Sequence, residues 1–208
     1  MLTKSHIIKL VILFISFSSF FGCKKDYPII KDVIPNAGFE IWAIEYDSLR
    51  PSCWNGGTNT ISRTNNAYSG NYAVVIESAA FSINGTSSGV LTSFEFDCSN
   101  SNYFYGFSIR SRPKSLNGFF KYLPVDNDSC RLYIVLYHQT RPFGSKIIVA
   151  QGILVEGRTI ENYTEFRLRL KYDSDIIPNR ASIMFVSSHT DVHRGSKIVI
   201  DELKFKYN

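Results

Sequence analysis

No stretch of this 208-residue chain is apolar over the roughly 20 residues that a membrane-spanning helix needs. Long segments with a helical period are absent too, which excludes a helical bundle or coiled coil. The chain has no internal repeat, so solenoids and propellers are excluded, and no low-complexity tract. Four cysteines are present, without the Cys-x-x-Cys or Cys/His spacing of a zinc site. The formal net charge of +5 is too modest to mark a nucleic-acid binder. No Ser/His/Asp arrangement can be read from the order of residues.

What is present begins with a leader. Lys4 and Lys9 form a positive n-region, and Leu10–Phe21 is a short apolar run broken by serines, the pattern of a secretory signal. Gly22-Cys23 then offers a small residue at the cut and a thiol to acylate, as a lipoprotein signal peptidase requires. Phe20 and Phe21 depart from the usual leucine-and-small lipobox. The expected organisation is a signal peptide over 1–22, a lipidated tether over 23–34 beginning at Cys23, and one domain over 35–208. Cleavage removes two lysines and no acid, so the charge falls from +5 to +3. Contact with the membrane is then expected through the lipid alone, with no nucleic-acid partner. Cys53, Cys98 and Cys130 remain, and an odd number leaves at least one thiol unpaired within the chain. Their pairing stays open.

The body of the chain is a series of short alternating runs separated by Asn, Gly, Ser, Asp and Pro. RLYIVLYH (131–138) puts Leu132, Ile134 and Leu136 on one face; TEFRLRLK (164–171) opposes Phe166, Leu168 and Leu170 to Arg167, Arg169 and Lys171. A period of two marks half-buried strands. Further strands are expected at 73–78, 88–97, 103–110, 117–123, 146–154, 181–187 and 196–207. This number of strands with turn residues between them predicts an all-β fold, a sandwich of two antiparallel sheets.

The segments IPNAGFEIW (34–42), PSCW (51–54) and AYSGNYAVVI (67–76) resemble the opening of jelly-roll carbohydrate-binding modules. GFSIRSRPKSLNGFFKYLPVDNDSCRLYIVLYH (106–138) is similar to the centre of the carbohydrate-metabolism domain family abbreviated PCMD, and YTEFRLRLKY (163–172), IMFVSS (183–188) and GSKIVIDELKFKY (195–207) agree with its end. The resemblance spans nearly all of 35–208. It departs in a short loop from His189 to Arg194 and in Asp201-Glu202, where Asp-Asp is more typical. The resemblance implies a jelly-roll β-sandwich in an outer-membrane lipoprotein of a glycan-feeding Gram-negative bacterium. It leaves open which side of that membrane the domain faces.

Several residues are candidates for chemistry. Glu95 and Asp97 in SFEFD share a strand face as glycosidase carboxylates do, but the third position is Ser99 rather than an acid. Asp126, Asp128, Asp173 and Asp175 sit in turns. His189 and His193 have a spacing that suits a metal only on a helix, whereas SSHTDVHRGS reads as a loop. Lys121, Tyr133, Tyr137, Arg167 and Arg169 all alternate away from apolar neighbours. If their three strands share one face, they combine rings for the C–H faces of sugars with donors for hydroxyls, a candidate carbohydrate-binding set; packing under a second layer is the competing role for the tyrosines.

The last strand is expected to alternate with Val199, Leu203, Phe205 and Tyr207 inward, which without a bulge places Asp201 inward as well. A lone buried carboxylate must be paired, hydrogen-bonded or metal-bound. The resemblance implies a structural calcium here, held by Glu40 and Asp201 with backbone carbonyls near the Ser69-Gly70 turn. The competing expectation is a bulge at Asp201-Glu202 that turns both acids to solvent.

The function expected from these readings is non-catalytic: a lipid-anchored envelope protein that binds oligo- or polysaccharide for carbohydrate acquisition. The alternatives are a structural or accessory lipoprotein of a surface complex or fimbria, and a glycoside hydrolase.

Overall fold

Leu132, Ile134 and Leu136 expose no surface at all, and neither do Ile183 and Phe185, so the alternation of these runs sorts inside from outside. The computed structural model describes residues 32–45, 47–82, 85–97, 102–141, 144–189 and 192–207. The leader, Cys23 and most of the tether lie outside them, as do Cys98 and the side chains of Glu95 and Asp97.

Every paired strand is antiparallel. β1 (Trp42–Glu45) and β2 (Ser48–Pro51) form a separate hairpin, β3 (Trp54–Gly56) joins a large sheet, and β4 (Ile61–Thr64) and β5 (Ala73–Glu77) join a small one. β6 (Ala79–Ser82) and β7 (Gly85–Ser87) make a second ribbon. β8 (Val90–Asp97), β9 (Asn102–Tyr105) and β10 (Phe107–Ser108) return to the large sheet, and β11 (Ser115–Leu123) crosses to the small one. β12 (Cys130–Gln139) and β13 (Lys146–Glu156) lie in the large sheet and β14 (Ile160–Arg169) at the edge of the small one. β15 (Lys171–Tyr172) and β16 (Arg180–Val186) complete the large sheet, and β17 (Lys197–Lys206) runs up the centre of the small one. The path is β15-β13-β12-β16-β8-β3 in the eight-stranded sheet, with β9 and β10 attached to β8 and β16, and β14-β11-β17-β5-β4 in the five-stranded sheet.

The two sheets close on one core. Leu132, Ile134, Leu136, Ile183 and Phe185 face Leu116, Phe120, Phe166, Leu168, Ile198 and Ile200, each 3% exposed or less. Burying each such side chain contributes about 1.5–3 kcal/mol. The predicted all-β sandwich of two antiparallel sheets is the observed architecture.

Two expectations are corrected. The 103–110 run is two strands, because Gly106 adopts φ 87° and lies so close to the Ala181 carbonyl that a Cβ would collide with it. In β17 the inward residues are Ile198 and Ile200, not Val199. A bulge follows, marked by φ 52° at Glu202 and a shift in the β11–β17 register between Asn117 and Phe119. Past it the inward set becomes Leu203 and Phe205, as expected. The packed structure also reaches back to Asp32, whose carboxylate accepts from the Arg110 N–H (2.8 Å) and the Ser111 hydroxyl.

Candidate functional site

The five proposed sugar-contacting residues are divided between two outer faces. Tyr133 and Tyr137 lie in the eight-stranded sheet, whereas Lys121, Arg167 and Arg169 lie on the five-stranded sheet. The premise that their three strands share a face therefore fails, because β11 and β14 pair with each other while β12 pairs with β13 and β16. The tyrosines also have local partners. The Arg131 guanidinium donates to the Tyr133 hydroxyl (2.7 Å), and Tyr137 is only 5% exposed, with the Lys146 ammonium 5.0 Å from its ring centre.

The outer face of the five-stranded sheet has three zones. Arg167 and Arg169 stand beside Lys204 and Lys206, because Asn117 pairs with both Arg167 and Lys204 and Ser115 with both Arg169 and Lys206. Here the Lys204 ammonium approaches Glu165 at 3.9 Å, and Glu165 accepts from the Asn117 amide at 3.1 Å. In the middle, Tyr68 stacks on Phe119 with ring centres 3.5 Å apart and meets Tyr163 edge-on at 5.8 Å. The Tyr163 hydroxyl donates to the Asn66 carbonyl (2.6 Å), and burial pushes its pKa up to about 12.

The third zone is an open groove of about 580 Å³ that crosses all five strands. Val75 and Val199 form its floor, and Lys121, Glu161, Glu77 and Lys197 stand around it. Lys197 and Glu77 form an ion pair at 2.9 Å. The Lys121 ammonium lies 4.4 Å from the Tyr163 ring centre and donates to the Asn66 amide oxygen at 3.3 Å. An apolar floor with donors and acceptors around it suits a sugar ring, whose C–H face is apolar and whose edge carries hydroxyls. Sequence reasoning found Lys121 but missed the rest, because they come together only through the order β14-β11-β17-β5-β4.

Asp201 is fully buried, on the outer side of β17 beneath the turn at Tyr68 and Ser69. The bulge expected to expose it is present but does not do so. One oxygen accepts the N–H groups of Tyr68 (2.9 Å) and Ser69 (3.1 Å), and the other accepts the N–H of Glu202 (2.8 Å). Burial pushes its carboxyl above the ordinary range, and these three bonds pull the other way. Glu40 is exposed and accepts the N–H groups of Asn71 (2.9 Å) and Tyr72 (3.1 Å), just after Gly70, whose φ is 68°. The two acids thus grip one turn on either side of Gly70 through four of its N–H groups. Calcium takes six to eight oxygen ligands. Both Asp201 oxygens and Glu40 Oε1 already face N–H groups, so a cation here would have to share them and draw on Glu40 Oε2 and backbone carbonyls; among the described residues no three His, Cys, Asp or Glu side chains gather to hold a metal.

Among the other described candidates, His193 and the turn aspartates beside it have local partners. The His193 ring lies 3.3 Å from Asp126 across a turn, and Asp128 accepts the Ser129 N–H at 2.7 Å. Cys130 is a buried free thiol that burial pushes up to about 12. Cys53 is exposed.

With this geometry the solved structures can be compared. A candidate glycoside hydrolase from Bacteroides thetaiotaomicron superposes with a TM-score of 0.65 at 17% identity, over 83% of this chain and 70% of that one. The chain has the same jelly-roll sandwich. A second candidate glycoside hydrolase, from Bacteroides vulgatus, gives 0.58 at 17% identity over 72% and 78%. A carbohydrate-binding module of class CBM28, specific for non-crystalline cellulose, gives 0.50 at 11% identity over 86% and 96%. No family model matches the sequence, and no curated protein does. At these identities the likeness speaks for the fold alone.

Proposed function

We propose that this domain is a non-catalytic glycan-binding protein of the PCMD type, working in carbohydrate acquisition and held to the outer membrane by a lipid on Cys23. The groove over Val75 and Val199 carries the reading, since its size and mixed lining suit a short stretch of saccharide. Sugar rings lie on the valines, while Lys121, Glu161, Lys197 and Glu77 meet the hydroxyls. The rings of Tyr68, Phe119 and Tyr163 pack on one another beside the groove, with the Lys121 ammonium 4.4 Å from the Tyr163 ring centre linking the two. Affinity electrophoresis of the protein through a panel of soluble polysaccharides tests this. Retardation by at least one is expected; none retarding the protein contradicts the reading, and release of reducing ends would make it a hydrolase.

A second reading has one specific support. Ile147, Ile148, Ile153 and Val155 along β13 are each 46–55% exposed, which suits an accessory role against another protein of a surface complex. Binding of a polysaccharide separates the two.

The anchor has its own test. Cys23→Ser is expected to release the protein from membranes or leave the precursor uncut. A variant processed and membrane-bound like the wild type would remove the lipid from the account.

A further inference from the structure

The packed part of the chain begins at one end of the sandwich. The Asp32 N–H donates to the Tyr207 hydroxyl (3.0 Å), and its carboxylate accepts the Arg110 N–H (2.8 Å) and the Ser111 hydroxyl. Tyr207 directly follows Lys206, the last residue of β17. Residues 23–31 precede Asp32, and at about 3.3–3.6 Å each they reach about 30 Å at most. β17 itself, from Lys206 back to Lys197 in the groove, is about 30 Å long. A lipid on Cys23 therefore keeps the Asp32 end next to the membrane. Bringing the groove end down instead would use the whole tether at full stretch.

The same end carries an apolar tip. The loop between β15 and β16 reads DSDIIP (173–178), and its Ile177 is 61% exposed and its Ile176 40%. Arg112 donates to the carbonyls of Ile176 (2.7 Å) and Ser174 (2.9 Å) and lies 4.1 Å from the Tyr172 ring centre. His138 Nδ1 lies 3.1 Å from the Ile177 carbonyl, and the Ile176 N–H donates to the Ser174 hydroxyl (3.2 Å). These backbone groups are satisfied within the domain while the two isoleucines face out. An apolar interface tolerates such a loop, because it brings in no unsatisfied backbone group. Val33, next to Asp32, is exposed as well.

Charge around the tip is mostly positive. Arg110, Lys114, Arg169 and Lys206 are exposed here; the Lys114 N–H donates to the Lys206 carbonyl (2.7 Å), and Ser115 pairs with both Arg169 and Lys206. Among the acids, Asp32 is engaged as described, Asp173 lies 3.7 Å from the Lys171 ammonium, and Asp175 stands on the loop itself. Basic side chains around an apolar tip suit a lipid surface, where phosphates overlie the acyl boundary. We propose that this end of the sandwich docks on the membrane, with Ile176 and Ile177 in the interface and the basic rim on the headgroup phosphates. The inference rests on the lipid anchor at Cys23 and gives the domain an orientation, with its groove directed away from the bilayer.

The test uses the mature, acylated chain, purified from membranes and reconstituted in vesicles of phosphatidylethanolamine and phosphatidylglycerol with brominated acyl chains. Bromine there quenches tryptophan that enters the bilayer, and wild-type Trp42 and Trp54 set the background. Ile177→Trp should show at least twofold more quenching than the wild type, and Leu123→Trp, at the far end of β11, no more than the wild type. Adding Lys114→Glu/Lys206→Glu to Ile177→Trp, with a melting curve that shows the protein folded, should remove at least half of the extra quenching. A signal that survives this charge reversal overturns the role of the basic rim. An acylated chain whose Ile177→Trp signal stays at the wild-type level overturns the docking and leaves the anchor standing. Mass spectrometry that finds Cys23 unmodified overturns the anchor, and this proposal with it. Dimers in detergent that Ile176→Ser/Ile177→Ser dissolves would give the tip to a second copy of the chain and overturn the proposal too.

Discussion

Asp201→Ala will lower the melting temperature by about 6–16 °C. The carboxylate is the shared acceptor for the N–H groups of Tyr68, Ser69 and Glu202, and it is itself fully buried. Removing it leaves three part-buried donors without that partner, at a combined cost of about 3–4 kcal/mol. In a domain of this size each kcal/mol moves the midpoint by roughly 2–4 °C. Asp201→Asn keeps one acceptor oxygen and turns an NH₂ toward the remaining donors, so its loss is smaller but still measurable. Glu40→Ala, at an exposed carboxylate, costs less than about 1 kcal/mol. A melt in chelator should match the melt in calcium, because the turn is held by N–H donors. A midpoint that falls on chelation would instead place a cation between the acids.

The second large effect belongs to Trp54→Ala, which will cost about 4 kcal/mol, or roughly 8–16 °C. Trp54 is 3% exposed, with its ring 5.2 Å from Phe39 and 5.9 Å from Phe185. Its indole N–H donates to the Pro35 carbonyl at 3.1 Å, so one side chain joins the first packed segment to β16. Truncation opens a cavity and frees that segment at once. Trp54→Phe keeps a ring and loses the hydrogen bond, at about 1–2 kcal/mol. A urea titration that finds Trp54→Ala within 1 kcal/mol of the wild type, on the scale of an ordinary surface substitution, would show that the cluster does not hold the N-terminal segment.

How much of this was legible in the sequence depends on range. Alternation marked β12, β14 and β16 because each has one wet and one dry side. The short strands β1 to β4 were missed, since three or four residues flanked by Gly, Asn and Ser carry too little period to read. β17 was found with the wrong register before its bulge. One residue in a left-handed conformation, Glu202, exchanges the two faces; the bulge at Asp201-Glu202 was the competing expectation, and no residue type in KIVIDELKFKY demands it over a regular strand. The expectation that the five sugar-binding candidates share one face failed for another reason. Alternation says which side chains leave the core but not which sheet they leave from, and β11, β12 and β14 look alike on that criterion. Asp201 was singled out correctly as a carboxylate that needed an explanation. The groove was invisible because strand order assembles it.

The central claim is that the groove on the five-stranded sheet holds saccharide, and one measurement tests it most directly. The polysaccharide that most retards the wild type is titrated against Lys121→Ala/Glu161→Ala, a pair on the groove lining whose loss leaves the core intact. The account predicts at least a tenfold loss of affinity with the melting temperature unchanged. An affinity equal to that of the wild type would contradict it.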